Sequence, residues 1–354
     1  MLVARVDVVV IGGGQSGLAS AGALVRQGLE PVLLEASDRP AGSWPRYYDS
    51  LTLFSPARYS ALPGRPFPGD PDRYPHRDEV VAYLTDYAAR LDVDIRTGRR
   101  VGAVRRAGDG FAVEVAGGES LTARAVVAAS GSFGRPHRPD LPGLDTFTGA
   151  VLHAADYRDP AAFAGQRVIV VGAGNSAVQI AAELHGVART TLATRNPIRY
   201  APQHVLGRDL HFWLTLAGID RAPIGRFLRT PPSPPIIDDG RYRAALTRGA
   251  PEHRPLFTGI DGAKVTWSDG VREEADVILL ATGYRPDLPY LAGIDGALDA
   301  AGLPRHREGR SLAHSGLAFT GLEWQRSLTS NSLRGAGRDA ARTARGLAAL
   351  LRRR

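Results

Sequence analysis

Val6-Asp7-Val8-Val9-Val10-Ile11-Gly12-Gly13-Gly14-Gln15-Ser16-Gly17-Leu18-Ala19 is the stretch that decides the fold. Its continuous apolar run predicts a buried parallel strand, and the small residues from Ala19 to Ala23 predict a closely packed helix. Between them Gly12, Gly14 and Gly17 form G-x-G-x-x-G. The first glycine permits the tight turn and the second lets a pyrophosphate approach the backbone. The third lets helix and strand pack, so that the helix N-terminus faces the anion. A second apolar run, Val32-Leu33-Leu34, ends in Glu35, 21 positions beyond Gly14, where an acid suits a ribose hydroxyl pair. A packing turn with a chance acid is the competing reading, and the strand–turn–helix–strand–acid order argues against it.

The design recurs. Arg167-Val168-Ile169-Val170-Val171 leads into Gly172-Ala173-Gly174-Asn175-Ser176-Ala177, with Ala177 in place of the third glycine. The following strand, Thr190 to Thr194, ends in Arg195, again 21 positions past the second glycine. The charge is reversed there. An arginine suits a ribose 2′-phosphate, as in NADP, which a glutamate would repel. Two such units imply two bound dinucleotides.

Composition narrows the class. In 354 residues there is no cysteine, which removes disulfides, redox dithiols, thiolate nucleophiles and cysteine zinc sites; no metal site is expected. No apolar run is long enough to span a bilayer, and the chain enters its first strand without a signal pattern, so a cytoplasmic protein with no membrane partner is expected. The net charge is +8 and the pI about 10.1. Nearly all of that charge is scattered arginine, Lys264 being the only lysine, which argues against a nucleic-acid footprint. Arg352-Arg353-Arg354 reads as a solvated helix end.

The remaining stretches organise around the two units. Residues 42–56, with their glycine, prolines and aromatics, read as a long ordered loop of the kind that carries function. A helix follows Tyr74-Pro75-His76, with Val80, Val81, Leu84, Tyr87 and Leu91 on one side and Arg77 or Asp78 as its cap. Residues 101–106 and 111–115 form a hairpin across Gly108-Asp109-Gly110. Ala125 to Ala129 and Val277 to Ala281 are buried strands, ending in Ser130-Gly131 and Thr282-Gly283, and read as paired crossings between domains. Residues 200–260, with Pro231-Pro232-Ser233-Pro234-Pro235, are either a lid or a surface excursion.

The order of the first glycine motif, then Phe147-x-Gly149-x-x-x-His153-x-x-x-Tyr157, then the second glycine motif and Ala281-Thr282-Gly283-Tyr284, resembles class B flavin-dependent monooxygenases over nearly the whole chain. Tyr48-Asp49-Ser50-Leu51-x-Leu53 is most similar to the short bacterial members, including those linked to arsenite resistance, and to the plant auxin-forming enzymes. The resemblance implies an α/β fold of two Rossmann-like dinucleotide-binding domains, FAD in the first and NADPH in the second, with the FAD domain discontinuous. Boundaries are expected at 1–158 and 279–354 for the FAD domain and at 159–278 for the NADP domain.

By the same resemblance, Gly12, Gly14, Gln15, Ser16, Gly17, Glu35, Ser43, Trp44, Val101 and Gly131 are expected at FAD. Gly335, with Gly337, would let backbone N–H groups near the last helix approach a flavin carbonyl, a frayed helix entry being the alternative. Gly172, Gly174, Asn175, Ser176, Ala177, Thr194 and Arg195 are expected at NADPH, and Gly283 is expected among the cofactor-binding residues. Phe54 and His153 are the candidates for the reacting centre, His153 being read first as a linker between domains.

The implied activity inserts one oxygen atom from O₂ into a small-molecule nitrogen, sulfur or similar soft nucleophile through a C4a-(hydro)peroxyflavin. Tyr157-Arg158 stands where the Baeyer–Villiger branch has Trp-Pro, which disfavours ketone oxygenation. Phe54 stands where the N- and S-oxidising enzymes place an asparagine, so polar support of the oxygenated flavin is missing and leakage to peroxide is expected. The alternative is an NADPH-dependent reductase or oxidase passing electrons to a quinone, a protein or O₂. A homodimer is left open.

Overall fold

The computed structural model describes residues 4–228 and 232–353, so Pro231 and Arg354 of the stretches above lie outside the described residues. Strand β1 (Ala4–Ile11) enters the glycine turn, helix α1 (Gln15–Val25) leaves it, and β2 (Pro31–Leu34) returns parallel to β1. Helix α2 (Arg77–Ala89), β3 (Asp94–Arg96), the antiparallel hairpin β4 (Val101–Ala107) and β5 (Gly110–Val115), and β6 (Ser120–Ala128) follow. These strands belong to one nine-stranded sheet whose parallel centre runs from the strand Leu317–Phe319 through β6, β1 and β2 to β3.

Strand alternation sends side chains to two different cores. Val8 and Val10 pack against α1, α2 and the last helix, α6 (Leu333–Leu351), whereas Val9 and Ile11 pack against the β4–β5 hairpin and residues 288–297. The first half of β6 pairs with β5 and its second half with Leu317–Phe319. The C-terminal part therefore returns to the first sheet, and that domain is discontinuous.

The second sheet has five parallel strands in the order Glu252–Pro255, β9 (Arg189–Thr194), β8 (Arg167–Val171), Val277–Leu280 and β7 (Ala150–His153). Helix α3 (Asn175–Leu184) follows β8. The domain limits expected at 158 and 278 are both displaced. β7 already pairs with Val277–Leu280, and that strand runs on to Leu280 before the chain leaves the sheet. The pattern of β7 is too short and too mixed to announce an edge strand in advance.

The two crossings run side by side. Asp287 N–H donates to Gly131 O (3.0 Å), Arg285 N–H to Arg135 O (2.9 Å) and His137 N–H to Gly283 O (2.8 Å). Residues 42–56 make a further bridge. Tyr48 is buried in the core of the second sheet, where its hydroxyl donates to Gln179 Oε1 of α3 at 2.5 Å. Arg77 is not the cap of α2 but a clamp on this loop, donating from Nη1 to Tyr47 O and Asp49 Oδ1 (both 2.6 Å). The N-cap is His76, and Glu79, three residues on, closes a capping box by accepting His76 N–H at 2.9 Å. Residues 200–260 carry two short helices, α4 (Leu210–Leu216) and α5 (Arg241–Thr247), and pieces of strand.

Helix α6 lies so close to the segment before it that a β-carbon on Gly335 would stand 1.8 Å from Thr329 O. Gly335→Ala should therefore lower stability by about 1–3 kcal/mol, the cost of overpacking. Gly259→Ala, where a β-carbon meets nothing within 4 Å, should stay within about 0.5 kcal/mol of the parent. Thermal or urea unfolding checks the pair, and equal effects would refute the packing argument.

Candidate active site

Both glycine turns sit at the C-terminal ends of parallel strands, where α/β sheets bind ligands. In the first, Gly12 has φ +107° and a β-carbon there would lie 2.6 Å from Ala129 O. A β-carbon on Gly17 would lie 1.8 Å from Gly12 O, so α1 is held directly against the turn. Gly14 caps α1 without a side-chain hydrogen bond, which leaves first-turn N–H groups for an anion. Opposite it stands Gly42, at φ +57°, whose β-carbon would be 2.7 Å from Gly14 Cα. The two facing glycines form a cradle that side chains would fill. These residues fit a dinucleotide pyrophosphate.

Glu35 is buried, and its carboxylate is already engaged. Oε2 accepts Gly13 N–H at 2.5 Å, and Oε1 accepts both the N–H and the hydroxyl of Ser37 at 2.7 Å. A carboxylate has about four acceptor positions, so about one remains for a ribose hydroxyl. The glutamate thus pins the glycine turn and keeps about one acceptor position open. Trp44 Nε1 donates to Gln15 Oε1 (2.9 Å), and Gln15 Nε2 donates to Asn331 O (3.1 Å), joining loop, α1 and the approach to α6. Ser43 O accepts Arg46 N–H (2.9 Å) and closes the turn that carries Trp44. Ser16 is buried at the start of α1, and Val101 opens β4 beside Arg99, whose N–H donates to Glu35 O (2.8 Å). Gly131, at φ +71°, begins the first crossing.

The second turn repeats these features. A β-carbon on Gly172 would stand 2.3 Å from Ala281 O, and Ala177, fully buried, fits beneath it. Gly174 caps α3 with open space where a side chain would be. Asn175 Oδ1 is buried and has no hydrogen-bond partner among the described residues, an acceptor left over in the cradle. Ser176 opens the helix beside the Tyr48 hydroxyl, whose pKa burial pushes up. Thr194 Oγ1 is 2.9 Å from His253 Nε2. Arg195 is exposed beyond β9. Burial lowers the pKa of His137, and the charges of Arg285 and Arg195 lower it further. Arg195, Arg285 and His137 thus lie close enough for their charges to act on one another.

The places given to His153 at the reacting centre and to Gly335 at the cofactor are corrected, while His153 has the bridging geometry of its first reading as a linker. His153 is fully buried, and both ring nitrogens are occupied: Nδ1 accepts Ala155 N–H (3.1 Å) and Nε2 bonds to Gly283 O (3.1 Å). Burial lowers its pKa, so it is a neutral linker between β7 and the second crossing and not a base. Gly283, at φ +83°, serves this crossing through its carbonyl. Gly335 is a packing glycine whose N–H donates to Ser332 O (3.2 Å) and is therefore not free for a cofactor carbonyl, and Gly337 packs on Pro63.

Phe54 is 44 % exposed and stacks on His211, ring centroids 6.1 Å apart. Sequence reasoning missed Gly42, the Tyr48–Gln179 bridge, the His137–Arg285 pair and the Asp209–His211 pair. Only Gly42 carries a local signal, as the glycine that opens the Ser43-Trp44 loop.

The family model described as pyridine nucleotide-disulphide oxidoreductase matches residues 9–209. The chain is 34 % identical over 315 residues to an indole-3-pyruvate monooxygenase of Oryza sativa subsp. japonica, covering 79 % of this chain and 77 % of that one. It is 30 % identical over 341 residues to a CzcO-like oxidoreductase of Geobacillus kaustophilus, covering 95 % and 96 %. Among solved structures, the flavin-containing monooxygenase from Stenotrophomonas maltophilia superimposes with a TM-score of 0.86 at 34 % identity, covering 98 % of this chain and 99 % of the other.

The purified protein should be yellow and release FAD. Gly14→Val would fill the Gly14–Gly42 cradle and should give flavin-poor protein, read from the absorbance of released flavin; full flavin content would sink the assignment. Arg195→Ala should weaken NADPH binding by about 10–100-fold, the scale of about 1.5–3 kcal/mol for a hydrogen bond to a charged group, with little effect on NADH. Titration with each nucleotide checks this, and equal losses would remove the 2′-phosphate role.

Proposed function

The chain belongs to the class B flavin-dependent monooxygenases, and from that membership we propose that it places one oxygen atom of O₂ on a soft nitrogen or sulfur centre of a small molecule. It is an FAD- and NADPH-dependent oxidoreductase acting with O₂ on small-molecule substrates. The observation that carries the finer reading is the pair of glycine cradles of opposite charge preference, one with Glu35 and one with Arg195, at the ends of two sheets joined by paired crossings.

When bound, the flavin accepts hydride from NADPH and activates O₂. The chain's own groups do the holding. The open first turns of α1 and α3 take the two pyrophosphates, and the Trp44–Gln15–Asn331 links fix the loop over the first. Asn175 Oδ1 offers an acceptor to the second nucleotide, and Arg195 with His137 and Arg285 takes its phosphate. The Tyr48 and Arg77 anchors keep residues 42–56 closed between the domains, which excludes water. The overall balance is NADPH + H⁺ + O₂ + substrate giving NADP⁺ + H₂O + oxygenated substrate.

One observation favours a second reading, an NADPH oxidase or reductase. Phe54 has no hydrogen-bonding side chain where the reacting centre is expected. Turnover under ¹⁸O₂ with a panel of amines and thioethers separates the two. We expect a product carrying one ¹⁸O, with peroxide released when substrate is withheld. NADPH oxidation matched throughout by peroxide or reduced quinone, with no labelled product, would replace the first reading by the second.

A further inference from the structure

Segment 200–216 brings a carboxylate and an imidazole together against the loop that carries Phe54. Asp209 caps α4: its Oδ1 accepts the backbone N–H of His211 at 2.7 Å and also meets His211 Nδ1 at 2.7 Å. Its Oδ2 accepts the Tyr74 hydroxyl and Gln203 Nε2, both at 2.6 Å. Burial alone would raise this carboxyl, but hydrogen bonds from His211, Tyr74 and Gln203 outweigh it and hold the pKa at about 2. An ionised carboxylate only accepts, so Nδ1 must carry the proton facing it.

The other nitrogen is what makes the pair more than a helix cap. His211 is 2 % exposed, and its ring lies between Phe54 and Tyr59, each centroid 6.1 Å away at interplanar angles of 23° and 27°. Nε2 has no protein partner among the described residues. A cap needs only the backbone N–H bond; it does not need a ring fixed in one tautomer with its far nitrogen left free. The network also reaches solvent, because the Tyr74 hydroxyl lies 3.4 Å from Nε2 of exposed His204. Gln203 ties it to the loop by donating to Phe54 O at 3.2 Å. The other titratable groups facing it are Tyr59 and, from α6, Arg334, whose charge interacts with Asp209 and which pairs with Asp220 at 3.3 Å.

We propose that Asp209 and His211 form a proton-transfer dyad that hands over, at Nε2, the one proton that each turnover takes from solvent. This rests on the reading above that O₂ is consumed beside Phe54. Two electrons arrive as hydride from NADPH. One proton from the medium completes either water plus oxygenated substrate, or hydrogen peroxide when no substrate is present. Both outcomes consume that proton, so the dyad can be tested before the substrate is known. Asp209 keeps its charge and orients the ring through the Nδ1 proton; Nε2, the nitrogen turned away from Asp209, gives the proton and regains it from the medium.

The test uses FAD-loaded enzyme and NADPH-driven O₂ consumption across pH in the parent, His211→Phe, His211→Gln and Asp209→Asn. His211→Phe and His211→Gln should lower kcat by about 10²-fold or more with the KM for NADPH unchanged, since an amide keeps a hydrogen bond but cannot give up its proton as an acid. In Asp209→Asn kcat should fall by about tenfold or more with the KM for NADPH again unchanged, because the amide no longer fixes the ring with its proton on Nδ1. The ¹⁵N signals of the His211 ring in the holoenzyme should show the Nδ1–H tautomer in the parent and lose it in Asp209→Asn. If His211→Phe does not retain FAD, the His211→Gln and Asp209→Asn rates and the ¹⁵N signals decide. Unchanged rates in those variants, even with a lowered melting temperature, would reduce the pair to a helix cap. Labelled product at unchanged rates would overturn the dyad alone; peroxide as the sole product with lowered rates would overturn only the oxygenation reading.

Discussion

The Gly12 carbonyl oxygen occupies the place where a β-carbon on residue 17 would stand, 1.8 Å away. That contact makes α1 approach β1 until its uncapped N-terminus looks along the strand ends, and Glu35 then locks the turn through Gly13 N–H. The same approach sets the spacing of α1 from α6, which lies on its outer side in one apolar core. The second turn reaches the same arrangement with less: Gly172 meets Ala281 O, and the small side chain of Ala177 replaces the third glycine. Because Ala281 leads into the second crossing, this steric fit also fixes where the chain returns to the first sheet.

Between the two turns the chain builds stiffness from several small pieces. The antiparallel backbone bonds of residues 131–137 with 283–287 align the crossings, and buried His153 closes them through Gly283 O. Tyr48 enters the core of the second sheet from a loop anchored on the first, with Arg77 holding the loop backbone just beside it. Each bond is modest, worth about 1 kcal/mol net. Their effect lies in position: loop, crossing and both helix N-termini are set relative to one another by contacts buried from water.

What was legible in the sequence was local. A strand, three glycines, a helix, a strand and a charged residue at fixed spacing follow from backbone sterics and anion chemistry, so both dinucleotide units and the hairpin were readable. The discontinuity of the first domain was readable only as the resemblance implied it, since the pairing of β6 with residues 317–319 lies nearly 200 residues apart in the chain. The edge strand β7, the clamp role of Arg77 and the occupied nitrogens of His153 were not readable. Each depends on which distant backbone groups arrive beside the residue. Gly335 shows the same limit from the other side: its sequence position near a helix start suggested a free N–H, and the turn with Ser332 consumed it.

Phe54 and His211 bring these strands of reasoning to one place. Phenylalanine excludes water and supplies no hydrogen bond, so a site lined by it alone would lack any group able to exchange a proton. The ring stacked on it comes from the segment whose sequence had no pattern, and Asp209 has every acceptor position filled in holding that ring. Apolar wall and polar donor therefore come from different parts of the chain, brought together by the Gln203 bond to Phe54 O. The loop of the first domain and residues 200–216 thus share one contact, held by that bond and by the stacking of Phe54 on His211.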